Sequence, residues 1–325
     1  MGPVCLCLVL LVLFQASLPL SAMAVSPQKV PVVLDHDGNF DDYLSLIMVL
    51  RMPHVDLRGV VVTPADCEIE PAVAVTLKIL NLLGRGDVPV SAGRLEGVNP
   101  FPLQWRREAR KVDFLPLLNE RELSQEAMAS IHALPGDEFL RLMLERAGEE
   151  GRPLTLLITG PVSNLAKALK TYPRLVESVD KVLWMGGALN VAGNVVGRDD
   201  HDGSAEWNAF WDPPATEAFF ATPGLRVIMF PLDVTNLVPV SGKFLKRLAG
   251  QRTQGVSDLC GQIWAMTQGS PVEDEYHMWD TLTTAFLGAP ELFNVSGGGG
   301  GGAGQQWAVF AEEGGLSAGR TVSMQ

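Results

Sequence analysis

The chain has 325 residues, 47% of them hydrophobic and 19% charged, with a formal net charge of -12. This balance fits a folded protein with a sizeable core and excludes a disordered chain. The negative charge argues against nucleic-acid phosphates or anionic lipid as partners, so no nucleic-acid binding is expected.

In chain order, an apolar run from Val4 to Phe14 has the length of a signal-peptide core and is too short to span a bilayer comfortably. Ala22 and Ala24 form an A-x-A cleavage pattern, although the first residues carry no Lys or Arg. Residues 1–24 are therefore expected to be a cleaved signal peptide. The remaining chain is expected to be secreted or lumenal, without stable membrane insertion. A start-site error would make it cytoplasmic instead. Of the four cysteines, Cys5 and Cys7 fall in this leader, and Cys67 and Cys260 alone make no disulfide framework. Asn294-Val295-Ser296 is a glycosylation sequon, usable only on the secretory route.

Apolar, β-branched runs then alternate with helical patterns. Strands are expected at 30–34, 57–63, 88–93, 153–159, 181–187 and 225–233. Helices are expected at 41–51, 71–86, 136–151, 163–172 and 214–222. The order predicts an α/β fold with a mainly parallel, Rossmann-like central sheet and helices on both faces. Residues 25–325 read as one domain, interrupted by a glycine-rich low-complexity run at 296–306. A hairpin around Gly314-Gly315 follows, either returning to the sheet or unstructured.

The most informative stretch is "DHDGNFDD". Asp35, Asp37, Asp41 and Asp42 place four carboxylates in eight residues, at the end of a strand and the start of a helix. A helix start favours negative charge, which accounts for one or two acids and leaves a surplus. Several carboxylates converging at the carboxyl end of a parallel strand suit a hard divalent cation. An EF-hand loop fails, because Phe40 stands at its glycine position and Leu46 at its final Glu. A haloacid-dehalogenase-like, magnesium-dependent phosphatase matches "VVLDHDGN" and, in its second motif, "LTLLIT". No acidic motif follows on a later strand.

The first motif also resembles the D-x-D-P-G-x-D-D of nucleoside hydrolases, with Gly38-Asn39 in place of Pro-Gly. Further segments extend that resemblance in order over most of residues 30–290: "ITGPVSNLAKAL", "WMGGALNVAGNV", "AEWNAFWDPPA" and "MWDTLTTAF". "NPFPLQW" and "ADC" are similar to the purine-specific branch, which also has Trp, here Trp279, before the late Asp. The resemblance implies the nucleoside hydrolase fold and the hydrolysis of purine ribonucleosides to base and ribose. It implies calcium held by the side chains of Asp37, Asp42 and Asp280 and by the Thr159 carbonyl, with Asp35 orienting these acids. Asp37 would be the general base. Asn39, Asp41, Asn194, Glu206 and Asn208 match ribose-binding positions; the Glu206-x-Asn208 spacing puts both on one side if the segment is a strand. Asp66, Trp105 and Trp279 match base-binding positions, the two indoles sandwiching the purine. The resemblance further implies a homodimer and a strand and helix beyond the last residue. His36, His54, His132, His201 and His277 receive no role, although His201 lies in a loop that reaches toward the pocket. The rival of a different class is a secreted nucleoside-binding protein without turnover.

Overall fold

The computed structural model describes residues 28–251, 255–268, 275–293 and 308–324. The expected signal peptide, the Asn294 sequon and the glycine-rich run lie outside these residues. Seven strands form one parallel sheet: β1 (Val30–His36), β2 (Val55–Val62), β3 (Val90–Ala92), β4 (Ile131–His132), β5 (Leu154–Ile158), β6 (Val179–Met185) and β7 (Val227–Phe230). Their order across the sheet is β4-β3-β2-β1-β5-β6-β7. The chain winds outward from β1 to β4, then returns to lay β5 against the other side of β1. That reversal is a topological switch point, and in such sheets the crevice for a ligand opens at the carboxyl ends of the two strands.

The helices are α1 (Phe40–Arg51), α2 (Ile69–Leu82), α3 (Leu103–Ala109), α4 (Gln125–Ala129), α5 (Gly136–Glu150), α6 (Ser163–Thr171), α7 (Trp207–Trp211), α8 (Pro213–Phe220), α9 (Leu232–Thr235), α10 (Gly242–Ala249), α11 (Val256–Met266) and α12 (Trp279–Gly288). Alternate residues of each strand feed two separate cores, because side chains alternate across a sheet. Val32, Leu34, Val60 and Val62 pack with Leu46 and Ile47 of α1 and Ile79 and Leu80 of α2. Val33, Val61, Leu156 and Ile158 pack with Phe139 and Leu144 of α5 and Leu165 of α6. Both sheet faces are thus covered, as the unbroken apolar strands require. Among the described residues no helix is long and apolar enough to cross a membrane.

Two expected elements differ. The strand expected at 225–233 ends at Phe230, since Pro231 has no N–H for a ladder, and Leu232 opens the short α9. The Asp233 carboxylate there accepts the Leu189 and Asn190 N–H groups, both at 2.8 Å. The C-terminal segment does form a hairpin, β8 (Ala308–Ala311) with β9 (Thr321–Met324), but as a separate antiparallel sheet.

Candidate active site

The acids of "DHDGNFDD" occupy the switch point. Asp35, within β1, is 2% exposed and sits between Val61 of β2 and Ile158 of β5. Its carboxylate accepts the Thr63 hydroxyl at 2.8 Å and the Asn164 amide at 3.2 Å, and Asn164 also donates to Thr63 at 2.8 Å. Burial pushes the Asp35 carboxyl up to about 7 against those hydrogen bonds. Asp37 follows as the strand ends and accepts the Asp66 N–H at 3.3 Å. The chain turns at Gly38, whose φ of +88° suits glycine, and a Cβ there would lie 2.7 Å from that of Ala72.

Asn39 caps α1. Its side chain accepts the Phe40 N–H at 2.7 Å, its own N–H reaches Asp42 Oδ2 at 2.7 Å, and its amide donates to Asp66 Oδ2 at 2.6 Å. Asp42 Oδ1 accepts the Thr159 hydroxyl at 2.6 Å, tying α1 to the end of β5. Asp41 reaches the far end of the chain: it accepts Tyr276 Oη–H at 2.7 Å and the Asp280 N–H at 3.0 Å. The capped-helix account of these acids is therefore correct for Asn39 and Asp42, and insufficient for the rest.

Asp37, Asp41, Asp42 and Asp280 are each at most 5% exposed. Burial raises the Asp37 carboxyl well above the usual range, and the charges of Asp42 and Asp66 raise it further. Burial does the same to Asp280, followed by the charges of Asp41, Asp42 and Asp37. No Lys or Arg forms a salt bridge with any of the four among the described residues. Among those residues, too, no three acids stand ready-made in a metal-ligand arrangement. The donor set nevertheless fits a hard cation: it is all oxygen, buried, mutually repelling and near the Thr159 backbone. Each carboxylate oxygen has two lone pairs, so the hydrogen bonds to Asp42 do not bar it from a cation. The Thr159 carbonyl accepts the Asn208 amide at 3.0 Å and keeps its second lone pair.

The opposite wall comes from the segments after β6. The Glu206-x-Asn208 pair does not lie on a strand: Glu206 is the N-cap of α7. Its carboxylate accepts the N–H groups of Gly187 at 2.8 Å, Asn208 at 2.9 Å and Ala209 at 3.2 Å. Burial pushes it up to about 7 against those bonds. Asn208 stands one residue into the helix and spans the Thr159 and Met185 carbonyls. Asn194 Oδ1 accepts the Trp207 N–H at 3.0 Å, and the Trp207 indole donates back to the Asn194 carbonyl at 3.1 Å.

One cleft is lined by Asp37, Asn39, Asp41, Asp66, Trp105, Thr159, Asn194, Glu206, Asn208, Trp279 and Asp280. Of the site residues expected from sequence, only Asp35 and Asp42 stand behind its wall. Trp105, on α3, packs against Phe101 and Trp207; Trp279, opening α12, packs against Tyr276 and His277. The lining also includes residues that sequence reasoning did not single out: Tyr276, Trp207, Phe101 and Glu108. Trp207 lies inside a quoted motif, and Glu108 stands one helical turn from Trp105. Tyr276 and Thr267 fall in no quoted motif. The His36 ring meets Thr76 Oγ1 at 3.1 Å in the core. His201 is buried beneath the 195–204 loop and lines no part of the cleft.

The family pattern described as "Inosine-uridine preferring nucleoside hydrolase" matches residues 32–325. The chain is similar to the pyrimidine-specific ribonucleoside hydrolases RihA of Citrobacter koseri and Shewanella woodyi, at 26% and 29% identity over 90% of this chain and 87% of each of those proteins. Among solved structures, an inosine-uridine preferring nucleoside hydrolase from Bacillus anthracis superposes with a TM-score of 0.79 at 36% identity, covering 91% of this chain and 90% of that one. A purine-preferring ribonucleoside hydrolase from Gardnerella vaginalis shares the fold, with a TM-score of 0.70, 23% identity and coverage of 90% and 88%. These matches run nearly end to end through the acid-lined switch point and set the phosphatase reading aside: the chain belongs to the inosine-uridine preferring nucleoside hydrolase family.

Proposed function

We propose that this protein cleaves the N-glycosidic bond of purine ribonucleosides, in a calcium-dependent reaction that yields free base and ribose. One observation carries the reading: the buried acids Asp37, Asp41 and Asp280 and two tryptophans, Trp105 and Trp279, line the same cleft. A hydrolase of this kind needs an activated water, a grip on the sugar and a place for the departing base.

Asp37, Asp42 and Asp280, with the Thr159 carbonyl, are the groups that would hold calcium. When bound, the cation supplies positive charge that lets crowded carboxylates ionise and makes water more acidic. Asp37 takes the proton of the attacking water as its oxygen bonds to the anomeric carbon. The electron pair of the breaking C–N bond leaves with the base, which gains a proton at a ring nitrogen. Asn39, Asp41, Asn194, Glu206 and Asn208 surround the ribose. Asp66 meets the edge of the base, and the indoles stack on its faces, where stacking contributes about 1–3 kcal/mol. Asp35 holds the strand end through Thr63 and Asn164 and does not touch substrate.

The curated relatives named as pyrimidine-specific motivate a second reading, in which the same site takes uridine or cytidine. Purified protein is incubated with inosine, adenosine, guanosine, uridine, cytidine and p-nitrophenyl phosphate, with and without a calcium chelator. Reducing sugar released faster from the purines, and abolished by the chelator, is the expected result. Preference for uridine overturns the purine assignment, and turnover unaffected by chelation overturns calcium. No sugar release from any nucleoside that nonetheless binds makes the protein a binder.

A further inference from the structure

The C-terminal hairpin is fastened to the site at points that the proposed chemistry does not use. Thr321, on β9, is 1% exposed. Its hydroxyl accepts the Ala188 N–H and donates to the Ala188 carbonyl, both at 2.9 Å. One residue earlier, the Gly187 N–H donates to the Glu206 carboxylate at 2.8 Å. Thr321 is therefore one peptide away from the cap that orients Glu206.

A second fastening lies on the loop between Asn194 and Glu206. The Asp202 N–H donates to the Leu316 carbonyl at 2.8 Å. His201 Nδ1 accepts the Gly203 N–H at 3.0 Å, which fixes the tautomer with the proton on Nε2. That Nε2–H donates to the Ala318 carbonyl at 2.9 Å. The loop closes on itself where Asn194 N donates to the Ala205 carbonyl at 3.0 Å, so a shift of the loop moves Asn194 and Glu206 together.

The third is a backbone contact. Gly319 has a φ of +81°, and a Cβ there would stand 2.6 Å from the Phe210 Cα on α7. Ala318 packs against the aromatic cluster of Phe101, Trp207 and Phe210. The hairpin thus touches the Gly187-Ala188 turn, the 194–205 loop and α7; Asn194, Glu206 and Asn208, which these segments carry or hold, line the cleft.

We propose that the C-terminal hairpin positions the sugar-binding wall, with Thr321 as the positioning residue that sets Glu206 through the Gly187-Ala188 turn. Neither Thr321 nor His201 touches substrate. The inference rests on the reading of Glu206 and Asn194 as ribose contacts and extends it to a segment outside the catalytic motifs.

The test uses the full chain with Thr321→Val, which keeps the shape and removes the hydroxyl, and Thr321→Ser, which restores it. Gly319→Ala perturbs the hairpin independently. The readout is the ratio of kcat/KM for inosine to that for its 2′-, 3′- and 5′-deoxy analogues. A loss of folded protein lowers all rates together and leaves these ratios unchanged. A loosened sugar wall lowers at least one ratio. Thr321→Val is expected to raise KM for inosine and lower a ratio by roughly tenfold, the scale of a lost buried hydrogen bond. Thr321→Ser should recover it, and Gly319→Ala should shift the same ratio. Unchanged ratios in both Thr321→Val and Gly319→Ala overturn the proposal. If the wild type hydrolyses no nucleoside, the functional reading itself fails, a result distinct from unchanged ratios in an active enzyme.

Discussion

Tyr276→Phe isolates one bond of the site. The Tyr276 hydroxyl holds Asp41 Oδ1 at 2.7 Å while the Asp280 N–H holds the other oxygen. Burial pushes the Asp41 carboxyl up to about 6, and the Tyr276 bond pulls it down. Phe keeps the ring that packs against Phe40, Trp264 and Trp279, so the substitution removes a donor without opening a cavity. A hydrogen bond to a charged group is worth about 1.5–3 kcal/mol. If Asp41 must be held this way in the transition state, kcat/KM falls roughly 10- to 150-fold at about 1.4 kcal/mol per decade. The same loss lowers Tm by several degrees, at about 2–4 °C per kcal/mol for a large domain. Sugar release and melting are measured for Tyr276→Phe, Asp41→Asn and the double variant. The double variant is expected to be no slower than Asp41→Asn alone, because the hydroxyl acts through that carboxylate. A Tyr276→Phe enzyme within twofold of wild type, or strict additivity with Asp41→Asn, refutes the reasoning.

Asp37→Asn should lower hydrolysis by about 10²–10⁴-fold, as loss of a general base does. Its melting temperature in chelator should hold or rise, since one of a set of crowded charges is gone; a marked fall would make Asp37 structural. Trp279→Ala should cost roughly 5- to 150-fold in kcat/KM for inosine, from about 1–3 kcal/mol of stacking, and less for uridine. Equal losses for both nucleosides would reject a purine-selective stack. Glu206 carries the pH prediction: burial moves it from 4.5 to about 7. It is ionised and accepting above that value and takes a proton below it, so KM should rise as pH falls through about 7. The Glu206→Gln enzyme should lack that component; an unchanged pH profile of KM would remove Glu206 from the sugar site. Stability runs the other way, because the folded Glu206 holds a proton that the unfolded chain has released, and it falls as pH rises from 4.5 to about 7.

Six of the seven strands of the sheet were legible because each carries a short apolar run, such as VPVVL in β1 and GVVV in β2; the two-residue β4, Ile131–His132, has no such run and was not expected. The four acids were legible as a surplus of like charge at one strand end, and both tryptophans only through the resemblance of their motifs to the nucleoside hydrolases. Glu206 was singled out by resemblance, and only the supporting argument from spacing differs from the structure. Its spacing to Asn208 suggested a strand, yet three N–H groups on its carboxylate make it a helix cap. Caps and alternation both place polar residues two apart, so spacing does not separate them. Tyr276 was invisible for a different reason. It stands between Glu275 and His277 in no periodic pattern, and its bond to Asp41 spans 235 positions in sequence. The docking of the hairpin was equally hidden, because Thr321 contributes a single hydroxyl to a turn that lies 133 residues away.

These long-range bonds explain how the site tolerates its own repulsion. Four carboxylates buried together disfavour folding unless each is held by donors or neutralised. Here the donors come from separate parts of the chain: Thr63 and Asn164 for Asp35, Thr159 for Asp42, Tyr276 and the Asp280 N–H for Asp41. The carboxylates of Asp37 and Asp280 are held by fewer donors among the described residues. Asp37 accepts the Asp66 N–H in a long contact of 3.3 Å, and its burial is nearly complete. A carboxylate so placed, with its proton affinity raised and few donors competing for its lone pairs, is suited to accept a proton from water. The sequence reveals the acids without revealing which of them the fold restrains.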